Sequence, residues 1–151
     1  MRNDSRLSRT LHVLLHMARH EGPMTSEAIG RMLGTNPVVV RRTMAGLRDA
    51  GYVRSDKGHG GGWSIAADLD EVSLLDVHRA VGGPRIFAIG SDRSNSDCAV
   101  EKAVNQAIED TLREAEALLI ERLGSVSLAQ LARDFDAGCC VKKPRSALGS
   151  T

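Results

Sequence analysis

Four glycines within five residues, Gly58-His59-Gly60-Gly61-Gly62, cut this chain at a point where neither a helix nor a strand can persist. The segments flanking that run are of strand type. Tyr52-Val53-Arg54-Ser55 precedes it and Trp63-Ser64-Ile65-Ala66 follows. The pattern predicts a hairpin whose tip is the loop Lys57 to Gly62. A phosphate-binding loop is the competing reading. The run lacks the Gly-Lys-Ser/Thr ending of that motif, and it has strands on both sides where a phosphate loop would open a helix.

Helical periodicity fills the rest. Residues 5–20 place Leu7, Leu11, Val13, Leu14, Leu15 and Met17 on a broad apolar face, and Gly22-Pro23 ends the segment. Thr25 is placed to cap a second helix over Ser26 to Leu33. Gly34-Thr35-Asn36 is a tight break, and Pro37 suits the first turn of a third helix that runs to about Ala50 and stops at Gly51. Its inward residues are Val40, Met44 and Leu47. A fourth helix is expected over Ser73 to Val81, then a polar loop. From Cys98 to Leu123 no breaker interrupts a long helix with the stripe Val100, Ala103, Val104, Ala107, Ile108, Thr111, Ala115, Leu118 and Leu119. Such a helix spans about 39 Å. A short helix from Ser127 to Phe135 ends near Gly138, and a basic tail follows that is expected to be disordered.

The fold class is therefore mainly α with a small β-wing: a winged helix-turn-helix domain over residues 1–83, a loop over 84–97, a dimerisation helix and short C-terminal helix over 98–137, and a tail over 138–151. Two short helices joined by a three-residue turn and followed by a hairpin make a winged helix-turn-helix. Its second helix enters the DNA major groove by its N-terminal half.

Charge supports this reading. The chain's net charge is +1, yet residues 1–63 carry 10 Lys/Arg against 5 Asp/Glu, residues 64–137 carry 7 against 14, and the tail adds Lys142, Lys143 and Arg145. A polyanion would bind the front half. Only Trp63, Tyr52, Phe87 and Phe135 are aromatic, too few for single-strand binding by base stacking. No segment has the length of a membrane span, no signal-peptide core is present, and the chain is expected to be cytoplasmic. No Ser/His/Asp set, paired carboxylates in a glycine-rich cleft or complete nucleotide motif points to an enzyme.

The candidate DNA contacts follow from base chemistry. Asn36, Val38, Val39, Arg41 and Arg42 lie at the N-terminal end of the third helix. Arginine can read guanine bidentately, asparagine can read adenine, and valine can touch a thymine methyl. Lys57, and His59 when protonated, would meet phosphate from the wing tip, near a narrow minor groove. Arg6, Arg9, Thr25, Ser26 and Arg54 are further phosphate candidates. A solvated role for Arg41 and Arg42, or a winged helix that binds protein and no DNA, is the alternative.

The stretch G-H-G-G-G-W-S-I-A, Gly58 to Ala66, resembles the wing of the Rrf2 family of bacterial regulators. S-E-A-I-G-R-M-L-G-T-N is similar to that family's first helix-turn-helix element, L-R-D-A-G-Y-V to the end of its recognition helix, V-S-L-L-D-V-H-R-A-V to its post-wing helix, and N-S-D-C-A-V to the start of its long dimerisation helix. The resemblance implies a homodimer, paired through the helix from Cys98 to Leu123, that binds palindromic double-stranded operators and acts as a repressor. The alanine-rich stripe supports the same pairing, because small residues permit close helix approach. An intrachain pairing with the first helix is the other way to cover it.

Many members of the family hold an iron–sulfur cluster on three cysteines near the start of that helix. Here Cys98 is followed by alanine, valine and glutamate, and Cys139 and Cys140 lie in the tail. A cluster wants about four ligands, mostly thiolates, so a family-type site is expected to be absent and no cofactor is assigned. Cys98 remains a candidate redox sensor. A helix N-terminus lowers a thiol pKa, while Asp92, Asp97 and Glu101 would raise it. His12, His16 and His20 share a helix face at a spacing able to hold a metal, but no carboxylate or thiol in the same helix completes a set, and no metal is assigned.

Overall fold

The structure, a computed structural model, describes residues 4–83, 86–87 and 98–139. Six helices and one hairpin follow in the order α1 (Arg6–Arg19), α2 (Ser26–Leu33), α3 (Pro37–Asp49), β1 (Val53–Asp56), β2 (Gly62–Ile65), α4 (Leu74–Ala80), α5 (Ala99–Gly124) and α6 (Leu128–Cys139). The expected tail beyond Cys139 and most of the expected loop over 84–97 lie outside the described residues.

Local chemistry sets the helix ends. The Thr25 hydroxyl accepts from the Ala28 N–H at 3.1 Å, and Gly34 closes α2 in the left-handed conformation. Asn36 Oδ1 accepts from the Val38 N–H at 2.8 Å and opens α3, with Pro37 in the first turn. Ser73 and Asp76 cap α4 reciprocally: the Asp76 N–H donates to Ser73 Oγ and the Ser73 N–H donates to Asp76 Oδ2. Each cap answers donors that the first turn of a helix leaves without partners.

The hairpin starts one residue later than the sequence suggests. The Tyr52 N–H donates to the Leu47 carbonyl at 2.9 Å, so Tyr52 still belongs to the end of α3. The antiparallel register then pairs Val53 with Ile65 and Asp56 with Gly62. Met24 adds a further rung by exchanging two backbone hydrogen bonds with Trp63, at 2.9 and 2.8 Å. Gly62, with φ of 151°, admits that rung, because a Cβ there would lie 2.6 Å from the Met24 carbonyl oxygen.

One core joins the elements: Val13, Leu14 and Met17 of α1, Ile29 of α2, Val40, Met44 and Leu47 of α3, Val53 and Trp63 of the hairpin, Val77 of α4 and Leu128 of α6. Leu128 lies in the short helix expected from Ser127 to Phe135. It is buried with the front half, because the Leu128 N–H donates to the Val72 carbonyl and the Leu74 N–H donates to the Val126 carbonyl. The chain leaves along α5 and returns to pack α6 against α1. α6 runs to Cys139, four residues past the expected Phe135.

α5 differs from every other helix described. Its 26 residues include none that is buried. Its C-terminal part rests on α4, with Gly124 against Leu75 and Ile120 lining a cavity with the same side chain. Val100, Val104 and Leu118 are 71%, 51% and 68% exposed.

Candidate nucleic-acid interface

α2 and α3 form the corner that presents the site. A Cβ on Gly30 would lie 2.8 Å from the Thr35 carbonyl oxygen, so a glycine in α2 lets the turn pass close. The Thr35 N–H donates to the Gly30 carbonyl at 2.9 Å and holds that approach. α3 buries Val40, Met44 and Leu47 and turns its first two turns outward. Val38 and Val39 are 55% and 52% exposed, which leaves two adjacent apolar side chains open to a ligand.

The structure separates the sequence candidates by what their polar atoms already do. Arg42 is exposed, with no ion pair or side-chain hydrogen bond to another described residue. Arg41 is also exposed, but its Nη1 lies 3.3 Å from Glu27 Oε1 across the corner. Such an exposed pair is worth about 0–1 kcal/mol, so it orients Arg41 without locking it. Asn36 is exposed, yet its Oδ1 is occupied as the α3 cap. Bidentate adenine reading needs both amide atoms, and the second lone pair of Oδ1 and the Nδ2 donors are what Asn36 has left for it. Thr25 is exposed and caps α2.

Ser26 requires a larger correction. It is buried, and its Oγ accepts from the Trp63 indole Nε1 at 2.9 Å. A phosphate cannot reach that hydroxyl. The bond instead ties the wing to the N-terminus of α2. Sequence reading missed it because the partners are 37 positions apart; a single tryptophan straight after the glycine run was the available hint of a buried anchor.

The wing tip is free of that anchor. Lys57 and His59 are exposed, and His59 lies between Gly58 and Gly60, which adopt φ of 93° and 78°. Arg54 is exposed at the base of β1, 3.9 Å from Asp56 Oδ2. Arg6 and Arg9 fold back onto the protein. Arg6 pairs with Asp4 at 2.6 Å and donates to the Gly82 carbonyl, and Arg9 donates to the Leu33 carbonyl at 2.8 Å. The Arg6 guanidinium holds the Asp4 carboxyl below its usual range.

Away from this face, Cys98 is exposed at the N-terminus of α5. The backbone N–H groups of Glu101 and Val100 stabilise its thiolate and hold its pKa below the usual cysteine range. Asp92 and Asp97, expected to oppose this, lie outside the described residues. The His12 and His16 rings meet at a tilt of 58° with centroids 4.7 Å apart, while His20 Nδ1 lies 3.1 Å from the Gly22 carbonyl oxygen. Among the described residues no three His, Cys, Asp or Glu side chains converge on a point that could hold a metal ion. No helix described is long and apolar enough to cross a membrane.

A helix-turn-helix corner with an exposed recognition helix, and a wing bonded to the same corner, defines a winged helix-turn-helix DNA-binding regulator. Comparison with known proteins narrows the class. Residues 3–134 match the model of the Rrf2 family, described as an iron-dependent transcriptional regulator. YwnA of Bacillus subtilis, which carries the name of an HTH-type transcriptional regulator, is 34% identical over 126 residues, covering 83% of this chain and 92% of its own. A crystal structure titled as a DNA-binding protein is 32% identical, with a TM-score of 0.66 over 84% of this chain and 98% of that one. A regulator structure from Lactobacillus plantarum shares the fold, with a TM-score of 0.72 at 20% identity over 87% of this chain and 90% of that one.

The chain belongs to the Rrf2 family of transcriptional regulators. It is a regulator and not an enzyme, and membership implies DNA binding. The family description names iron. Cys98 is the one thiol whose side chain is described, and Ala99, Val100 and Glu101 follow it.

Proposed function

We propose that the chain is a homodimeric, sequence-specific repressor. In this reading α3 enters the major groove, the Lys57–Gly62 wing lies near the minor groove, and two protomers read an inverted repeat. The observation that carries it is the corner itself. The first two turns of α3 expose Val38, Val39 and Arg42, while the Trp63–Ser26 bond fixes the wing to the same corner. Backbone contacts from Lys57, His59, Arg54 and Thr25 would position the duplex, and α3 would read it.

The dimer rests on α5. A helix with no buried residue and with Val100, Val104 and Leu118 in solvent is a poor element for a lone chain. Pairing α5 with the α5 of a second copy would cover that stripe and set the spacing of the half-sites. Repression follows by occupancy, since a bound dimer blocks the duplex it covers. No cluster is part of this reading.

Selection from a random duplex library at about 150 mM salt, where non-specific phosphate binding is already weakened, tests it. An enriched inverted repeat is expected. Absence of any enriched motif, from aerobic and anaerobic protein alike, would replace this reading with a winged helix that binds protein.

A second reading has its own observation. Cys98 is exposed and its thiolate is stabilised by two backbone N–H groups, which suits a redox-responsive regulator. Operator affinity that changes on mild peroxide treatment, and does not change in Cys98→Ser, would establish it. Iron and acid-labile sulfide in anaerobically prepared protein would establish a cluster instead.

A further inference from the structure

We propose that the operator half-site is selected largely by the C5-methyl groups of thymines, read by Val38 and Val39, with one guanine beside them read by Arg42. The inference deepens the placement of α3 in the major groove and rests on it.

Subtraction leads there. The groove-facing end of α3 offers few groups able to tell bases apart, and two of the polar ones are already engaged. Asn36 Oδ1 caps the helix, and Arg41 leans toward Glu27 on the α2 side. Val38 and Arg42 project from the exposed face, and Val39, more than half exposed, also lines a cavity beside Arg9, Leu33 and Thr35. Val38 and Arg42 stand one turn apart on the line opposite the buried Val40, Met44 and Leu47. Val39 stands beside that line, also more than half exposed.

A valine cannot hydrogen-bond a base edge. The one feature of the major groove that rewards it is the thymine methyl. Arginine's best match is guanine O6 and N7. One helical turn advances about 5.4 Å and one base-pair step about 3.4 Å, so the guanine is expected one or two steps from the thymine under Val38.

Deoxyuridine isolates the methyl, because it keeps every hydrogen-bonding atom of thymine. The enriched duplex is re-synthesised with deoxyuridine at each thymine of one half-site in turn, and affinity for the full chain is measured by fluorescence anisotropy. Removing one buried methyl is expected to weaken wild-type binding about fourfold at one or two positions. Val38→Ala is expected to bind thymine and deoxyuridine duplexes equally at one of them, and Val39→Ala at the other. Both substitutions are on the surface and leave the core intact.

An enriched motif whose deoxyuridine versions all bind wild type normally would overturn the proposal, as would a penalty that survives in both alanine variants. Either result leaves the groove docking of α3 standing. Failure of the docking itself shows differently, as no enriched motif at all.

Discussion

α3 and α5 both hold valines in solvent, but the two exposures differ in kind. α3 is anchored on its other side by Val40, Met44 and Leu47, all at most 3% exposed. Its valines are an outer surface on a finished domain. α5 has no fully buried residue along its 26, and among the described residues nothing covers its valines. An exposed apolar residue on a well-anchored helix suggests a ligand. An exposed apolar stripe on a helix that meets its own domain only by its C-terminal part suggests a second copy. The distinction lies in what the rest of the helix does, not in the valines.

That contrast can be broken most sharply by one substitution in each helix. Leu47→Ala removes a fully buried side chain and is expected to destabilise the fold by about 2–5 kcal/mol, read as a lowered midpoint in urea. Leu118→Glu places a charge on the α5 stripe and is expected to convert a dimer to a monomer in sedimentation equilibrium, with the circular dichroism of the front half retained. If Leu118→Glu unfolded the chain as Leu47→Ala does, α5 would be part of the core. If it left the oligomeric state unchanged, the dimer would not form through this face.

The wing sharpens the α3 side. Trp63→Phe deletes the indole donor and leaves the Ser26 hydroxyl buried without it. A loss of about 1–3 kcal/mol is expected. Faster amide exchange should appear at Met24 and Trp63, whose rung the bond supports. Unchanged exchange would show the wing held by its backbone alone.

Next in size are the two cations with different work. Arg42→Ala is expected to cost about 1–3 kcal/mol on the selected operator and to relax base preference at one position. Lys57→Ala is expected to weaken all duplexes alike and reduce the salt slope by about one unit. Equal loss of specificity in both would erase the division between helix and wing.

The smallest effect concerns the start of α5. Because backbone N–H groups favour the Cys98 thiolate, its ionisation midpoint lies lower in the folded chain than in the unfolded one. Alkylation of a Cys139→Ser/Cys140→Ser protein should therefore reach half its maximal rate at lower pH natively than in urea. Coincident midpoints would show that the helix start does not act on the thiol.

The helix-turn-helix and the wing were legible because their signals are local. Thr25 is a good cap residue wherever a helix begins, Pro37 fits a first turn, and the glycine run marks a turn, although its last member, Gly62, opens β2. α2 and the start of α3 fall where the sequence puts them, and the hairpin shifts by a single residue because Tyr52 remains bonded to Leu47. The buried faces were readable too, since a period near 3.6 marks Val40, Met44 and Leu47 without knowledge of what they meet.

The candidate site was less legible. Thr25, Ser26, Asn36, Arg41 and Arg42 have equal claims in a sequence, and they part only when each polar atom's partner is known. Ser26 turns inward to Trp63, Arg41 meets Glu27, Arg6 reaches Gly82, and Leu128 returns to the front core. Those pairs span 37, 14 and 76 positions for the three hydrogen bonds, distances over which sequence pattern carries no signal. Sequence by itself determined where helices start, stop and turn their apolar faces, because those depend on neighbours three or four residues away. Only the tertiary structure decided which surface groups remain free for DNA, because a side chain's availability depends on whatever the fold brings beside it.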